Sequence, residues 1–178
     1  MKRKIGLYSG TFGPIHEGHI AFALAAIQML ELERVMLLPE RHPRGKMQVT
    51  PFDSRLAAIN DAIAGHSKLA LAELQSAHHT VESVRRELHD VFASSQVVLL
   101  MGSDVAKSLQ YWDGVKTLLR DHELCIGLRN TESAEMLQPY MRALEDLHDL
   151  EVRATYIMTK FSHISSTAIR QQAPQPLP

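Results

Sequence analysis

The chain has 178 residues, with 19 Lys and Arg against 20 Asp and Glu and a net charge of −1 with His neutral. That length is read as one domain burying about 70% of its unfolded surface, and the balanced charge argues against nucleic acid as a partner. The single cysteine, Cys125 in Leu124-Cys-Ile126, excludes an intrachain disulfide and reads as core; no apolar run approaches the ~20 residues of a membrane span and no hydrophobic leader segment follows Met1-Lys-Arg-Lys4, so the expected setting is cytoplasmic, without a membrane partner.

In chain order, Lys4 to Tyr8 is an apolar run that predicts a strand, and 18–32 predicts a helix with Phe22, Ala26, Met29 and Leu30 near helical spacing. Val35 to Leu38, closed by Pro39, predicts a buried strand, and Glu40 to Thr50 a charged loop. Thr50-Pro51 predicts a helix start, with Thr as N-cap and Pro in the first position; Leu56, Ile59 and Ile63 continue it to a stop at Gly65. Leu69 to Leu71 is a short strand. Ser76 to His79 is a loop, and Thr80 opens a helix carrying Val84, Leu88 and Val91. Val97 to Met101 is the clearest strand, followed at once by Gly102-Ser-Asp104. Helical pieces over 105–110 and 114–120, a strand from Glu123 to Leu128, a helix over 132–147 and a strand from Val152 to Met158 complete the alternation. Ile164 to Arg170 opens a last short helix, and residues 173–178 form a proline-rich tail outside the single domain 1–172. Strands alternating with helices predict an α/β fold, a parallel sheet covered on both faces. Ligands of such sheets lie beyond the carboxyl ends of the strands, where the strand order reverses.

One stretch meets that description most directly: Ser9-Gly-Thr-Phe-Gly-Pro-Ile-His-Glu-Gly-His-Ile20, lying between the first strand and the first helix. Gly10 lets the backbone approach a phosphate closely. The helix start offers unpaired N–H groups and a partial positive charge, with His16 and His19 flanking Gly18. Strand, glycine turn and helix with two imidazoles at the turn read as a nucleotide site; the bland alternative is a capped helix with ordinary surface histidines.

The opening GTFGPIHEGH and the closing ISSTAIR resemble the paired signatures of the HxGH nucleotidyltransferases, about 150 residues apart in the expected order. Met101-Gly-Ser-Asp104 with Leu109 and Trp112 is similar to the GAD…LxxW segment of bacterial nicotinate-nucleotide adenylyltransferases. Arg41-His-Pro-Arg-Gly-Lys46 resembles a diverged form of their PPHK loop. The resemblance covers nearly the whole chain. It implies a Rossmann-like, doubly wound parallel sheet of the adenylyltransferase type. It also implies ATP as co-substrate, Mg²⁺ accompanying the triphosphate, and a phosphorylated small-molecule acceptor, best taken as nicotinate mononucleotide. In-line attack on the α-phosphorus needs alignment and stabilisation of spreading charge rather than a covalent nucleophile. His16, His19, Lys46 (or Arg44) and Arg170 are thereby expected to be catalytic. Ser9, Gly10, Thr11, Phe12, Gly18, Gly102, Asp104, Ser165, Ser166 and Thr167 are expected to hold ATP, and His79, Thr80 and Trp112 to hold the acceptor. No residue is expected to bind a metal directly.

Each assignment has a plainer counterpart. Ser165, Ser166 and Thr167 with Arg170 can be an N-cap cluster and a surface arginine. Asp104 can be a helix N-cap, Trp112 half-buried core, and His78-His79 polar loop residues rather than metal ligands. Glu145 to Glu151 reads as a solvated face. Two departures from the family pattern fall at the acceptor side: Gly13 stands where Asp is usual, and His79-Thr-Val-Glu-Ser83 stands where Tyr-Thr-x-Asp-Thr is usual. These leave open adenylyl transfer to nicotinamide mononucleotide or phosphopantetheine, or a catalytically silent nucleotide-binding module.

Overall fold

The computed structural model describes residues 2–43, 45, 49–164, 166, 169 and 170. Six strands form one sheet: β1 (Arg3–Gly10), β2 (Arg34–Pro39), β3 (Leu69–Leu71), β4 (Ser95–Gly102), β5 (Glu123–Gly127) and β6 (Ala154–Ile157). Their order is β3-β2-β1-β4-β5-β6, and every neighbouring pair is parallel. The chain first steps outward from β1 through β2 to β3, then crosses back to lay β4 on β1's other side. The strand order therefore reverses between β1 and β4, which opens a crevice beyond their carboxyl ends. This is the parallel α/β sheet expected from the alternation, of the Rossmann-like type that the resemblance implied.

The strands are apolar on both faces because helices cover both. One face carries Tyr8, Val35, Leu37, Val98, Leu100, Cys125 and Ile157, packed on Phe22, Ala23, Ala26 and Ile27 of α1 (Glu17–Leu30) and on Ile59 and Ile63 of α2 (Phe52–Ile63). The opposite face carries two clusters. Ile5, Leu7, Leu38 and Val97 meet Val84 of α3 (Val81–Glu87) and Val91 and Phe92 of α4 (His89–Ser94). Met101, Leu124 and Ile126 meet Leu118 and Leu119 of α6 (Val115–Asp121) and Leu137, Met141 and Leu144 of α7 (Ala134–His148). Cys125 is fully buried, and the loss of hydration pushes its thiol pKa up to about 12, so it is an inert core residue.

Local departures have physical causes. The helix expected from Thr80 through Val91 is two, broken at Leu88, whose φ of −107° and ψ of 29° leave the helical region. Thr80 is the N-cap as expected, and its hydroxyl accepts from the Ser83 amide at 3.0 Å. Pro51, not Thr50, occupies the N-cap of α2, in extended conformation, so no side chain caps that helix. Asp104 is not an N-cap either. Gly102 holds that place for the one-turn α5 (Ser103–Ala106), and Asp104 sits within its first turn. Glu145 is more than solvated surface: its Oε1 accepts the Val152 amide at 2.9 Å. No helix among the described residues is long and apolar enough to cross a membrane.

Candidate active site

The site begins with how the turn after β1 is anchored. Phe12 adopts a positive φ of 47° and is 2% exposed. Its ring turns inward, edge-on to Tyr8 at 5.2 Å and to His19 at 5.1 Å between centroids. Gly10 is required by that ring, since a Cβ there would lie 3.2 Å from it. Phe12 is thus a hydrophobic peg that leaves only backbone of the turn for a ligand.

His16 caps α1 in extended conformation (φ −150°, ψ 169°), and its carbonyl accepts the His19 amide at 3.0 Å. One helical turn brings His19 beside it, and the imidazoles stack 3.8 Å apart at 33°. The His16 amide donates to His19 Nδ1 at 3.3 Å, so a neutral His19 carries its proton on Nε2. Burial, with a smaller contribution from the Arg129 guanidinium, lowers the His16 pKa from 6.5 to about 4. His16 is therefore neutral at pH 7, yet its Nδ1 is buried without a hydrogen-bond partner among the described residues. Gly18 permits this packing: a Cβ there would stand 2.9 Å from His16 Nδ1 and 3.2 Å from the Phe161 carbonyl oxygen.

The other walls come from distant segments. Ser166 Oγ donates to the Pro14 carbonyl at 2.9 Å, and Arg170 Nη1 donates to the Gly13 carbonyl. Ser166 and Arg170 thus fasten their segment to the turn after β1. At the end of β4, Asp104 Oδ2 pairs with Arg129 Nη2 at 3.0 Å, and Asp104 Oδ1 folds so closely over Gly102 that a Cβ there would be 2.6 Å away. Ser9 Oγ and His79 Nδ1 are 2.6 Å apart, joining β1 to the loop before α3. Burial depresses the His79 pKa, so this imidazole is also neutral. Trp112 is 39% exposed, after a 3₁₀ turn (Leu109–Tyr111); it is neither core nor free surface. Gly114, just beyond it, abuts Val81, which sets the Trp112 loop beside the His79-Thr80 segment.

Ser9, Gly10, Thr11, Phe12, His16, Gly18 and His19 therefore gather at the end of β1, with Gly102 closing the adjoining β4, Asp104 in α5 just beyond it, Ser166 and Arg170 bonded to the turn after β1, and His79 bonded to Ser9. Arg44, Lys46, Ser165 and Thr167 lie outside the described residues. The loop amides of His79 and Thr80 are already engaged, donating to Glu40 Oε1 at 3.0 Å and Ser83 Oγ at 2.9 Å. Three residues that the sequence reading did not select belong to this region: Glu40, Arg55 and Arg129. Arg129 was findable, since it follows the end of β5 by two residues, as Asp104 follows β4, and such positions border the crevice of a parallel sheet. Glu40, directly after β2, carried the same signal, and Arg55 carried none. Among the described residues no group of three or more His, Cys, Asp or Glu side chains could hold a metal ion.

Comparison with known proteins agrees with this geometry. A protein of Neisseria meningitidis serogroup A, named as a probable nicotinate-nucleotide adenylyltransferase, is 30% identical over 176 residues, covering 95% of this chain and 88% of its own. One of Pseudomonas syringae pv. tomato with the same name is 30% identical over 187 residues, covering 96% and 83%. The fold is shared with Plasmodium falciparum nicotinic acid mononucleotide adenylyltransferase complexed with NaAD, at a TM-score of 0.77 and 18% identity over 95% of this chain and 83% of that one. It is shared less closely with a protein of Vibrio parahaemolyticus described as a putative nicotinate-nucleotide adenylyltransferase, at a TM-score of 0.59 and 13% identity over 79% of this chain and 82% of that one. Residues 7–172 match the cytidylyltransferase-like family, and the chain belongs to it as a nucleotidyltransferase close to the nicotinate-nucleotide adenylyltransferases.

Proposed function

We propose that the chain transfers AMP from ATP to nicotinate mononucleotide, forming the dinucleotide and releasing pyrophosphate, as a cytoplasmic enzyme of NAD biosynthesis. The observation that carries this reading is the stacked His16–His19 pair at the N-terminus of α1, beyond the strand ends where the sheet order reverses. A phosphate oxygen of the acceptor attacks the α-phosphorus of ATP, the bond to the β-phosphate oxygen breaks, and pyrophosphate leaves with its electron pair. Negative charge spreads over the α-phosphate oxygens meanwhile. Neutral imidazoles remain hydrogen-bond donors through one N–H each, and the first amides of α1 add theirs. Thr11 and Gly10 supply backbone to the triphosphate, with Ser165, Ser166, Thr167, Arg170 and Lys46 as its further partners. Asp104 takes the ribose hydroxyls, which requires it to exchange its bond with Arg129. Mg²⁺ is carried by the triphosphate and water, supplying charge neutralisation there; no dedicated protein cage is invoked.

The acceptor ring lies by Trp112 and the His79-Thr80 loop. With the amides of His79 and Thr80 engaged, a ring carboxylate is met by displacing Glu40 from His79 or by amides further along. The test is pyrophosphate release from ATP and Mg²⁺ with a panel of acceptors: nicotinate mononucleotide, its amide and phosphopantetheine. Nicotinate mononucleotide is expected to give the highest kcat/KM. A higher value for either other acceptor overturns the substrate, and no pyrophosphate with any of them makes the chain a silent nucleotide-binding module.

A further inference from the structure

Among the described residues the most deeply buried charged one is not at the phosphate turn but behind it. Arg55, in the first turn and a half of α2, is 2% exposed. Among the described residues its guanidinium makes four bonds, all to backbone carbonyls: Nη1 to Thr11 at 2.7 Å and to Glu40 at 2.9 Å, Nη2 to Arg41 at 3.1 Å, and Nε to Thr50 at 3.0 Å. These carbonyls belong to three segments: the turn after β1, the start of the loop after β2, and the far end of that same loop where α2 begins. The planar fork reaches all three because its five N–H groups point in fixed, divergent directions, which a single ammonium cannot reproduce. Gly13 faces the same group, and a Cβ there would come within 3.3 Å of Arg55 Cδ. On the other side of the turn, Arg170 and Ser166 hold the Gly13 and Pro14 carbonyls. Residues 11–14 are therefore gripped from both sides, by α2 and by the segment of Ser166 and Arg170.

We infer that Arg55 is a positioning residue for nucleotidyl transfer: it touches no reacting atom, and it fixes the Thr11 turn relative to both ends of the loop over residues 40–50. In the proposed reaction the turn carries the triphosphate backbone contacts, and one guanidinium sets it in register with Glu40, Arg41 and Thr50. This rests on the proposed adenylyl transfer. A solely structural role would make the same contacts and lower stability, but would leave each folded molecule fully active.

The test compares Arg55→Lys and Arg55→Ala with the parent chain, whose own pyrophosphate release first establishes the activity. Folded fraction and unfolding midpoint are measured alongside kcat and KM, at a temperature where the variants are folded. Arg55→Lys is expected to lose at least about tenfold in kcat per folded molecule, the scale of sub-ångström misalignment. Millimolar methylguanidinium is expected to restore turnover of Arg55→Ala saturably, while methylammonium does not. Folded Arg55→Lys with kcat and both KM values within twofold of the parent overturns the inference, as does an Arg55→Ala that methylguanidinium leaves unchanged. If neither variant folds, Arg55 belongs to the fold and the positioning role is likewise rejected. A parent chain that releases no pyrophosphate instead rejects the proposed activity.

Discussion

Replacing Gly18 with Ala separates catalytic geometry from stability. The added Cβ would lie 2.9 Å from His16 Nδ1, 3.0 Å from Cε1 and 3.2 Å from the Phe161 carbonyl oxygen, where ordinary contact begins at 3.4 Å. The ring must withdraw by 3.4 − 2.9, about 0.5 Å, and the carbonyl by a smaller amount. His16 cannot retreat freely, because it is stacked on His19 at 3.8 Å. Overpacking of this kind costs about 1–3 kcal/mol, while Ala in place of Gly in a helix returns up to about 1 kcal/mol. The net loss is at most about 3 kcal/mol, a fall of roughly 6–12 °C in melting temperature for a chain of this size. Catalysis should suffer more, since a 1 Å misplacement of an aligned group costs about a hundredfold and half of that still about tenfold. Gly18→Ala should therefore stay folded at 25 °C and lose about tenfold to a hundredfold in kcat, with little change in ATP affinity. Pyrophosphate release and thermal unfolding measured on the same preparation test this. Parental kcat in a folded Gly18→Ala would refute the claim that the His16–His19 arrangement stabilises the transition state.

Other expectations follow from the same contacts. His16→Ala and His19→Ala should each lower kcat about a hundredfold or more, as loss of an oxyanion donor does; near-parental turnover in both would remove them from the catalytic set. The folded-state pKa of His16, about 4 against 6.5, means that between those values the unfolded chain binds the proton and the folded chain does not. Stability from this group is complete above pH 6.5 and lost as pH falls toward 4, by about 2 kcal/mol after halving for its partial exposure; urea midpoints of the parent and His16→Gln should converge or cross over that window. Arg170→Ala should weaken ATP about tenfold more than AMP in a titration, with Lys a partial substitute; equal losses would confine Arg170 to its bond with Gly13. Trp112→Ala should raise the acceptor KM more than the ATP KM at small cost in melting temperature, since the indole is 39% exposed.

The parts of this protein that are legible in the sequence are those governed by local rules. β1, β2, β4 and β5 announce themselves as short apolar runs because a parallel sheet covered on both faces leaves no polar alternation, and α1 follows from the glycine turn and the two histidines at its start. The break at Leu88 was not legible, because Val84, Leu88 and Val91 keep helical spacing across it, and only packing of α4 against Ile5, Leu7 and Val97 distinguishes two helices from one. The N-cap of α2 was misplaced by one residue for a similar reason: Thr50 has the right side chain, but its carbonyl is drawn to the Arg55 guanidinium and Pro51 takes the extended conformation. The site divides in the same way. His16, Gly18, His19 and Asp104 lie in segments whose spacing carries the signal, whereas Arg55 is an unremarkable arginine on a helix until four carbonyls from three segments close around it.

That division bears on how the site must work. The residues legible in sequence are those that the proposed transfer places against substrate, while those that were not legible hold backbone or pair with the first group: Arg55 with Thr11, Arg129 with Asp104, Glu40 with the His79 amide. In the structure each ligand-facing element is thus already engaged by a charged side chain from elsewhere. One of these engagements is exposed enough for water to compete. The side chains of the Asp104–Arg129 pair are 59% and 50% exposed, and such a pair is worth no more than about 1 kcal/mol. Ribose hydroxyls can replace it at little cost, and the released guanidinium remains close enough to His16 to influence its charge state. The Arg55 bonds are buried and numerous, so they persist through the same exchange. The crevice accordingly combines a rigid floor, set by Arg55 and the Phe12 peg, with walls whose polar partners can be traded for substrate. Rigid placement at the α-phosphate and exchangeable contacts at the ribose and acceptor are what an in-line transfer between two bound phosphates requires.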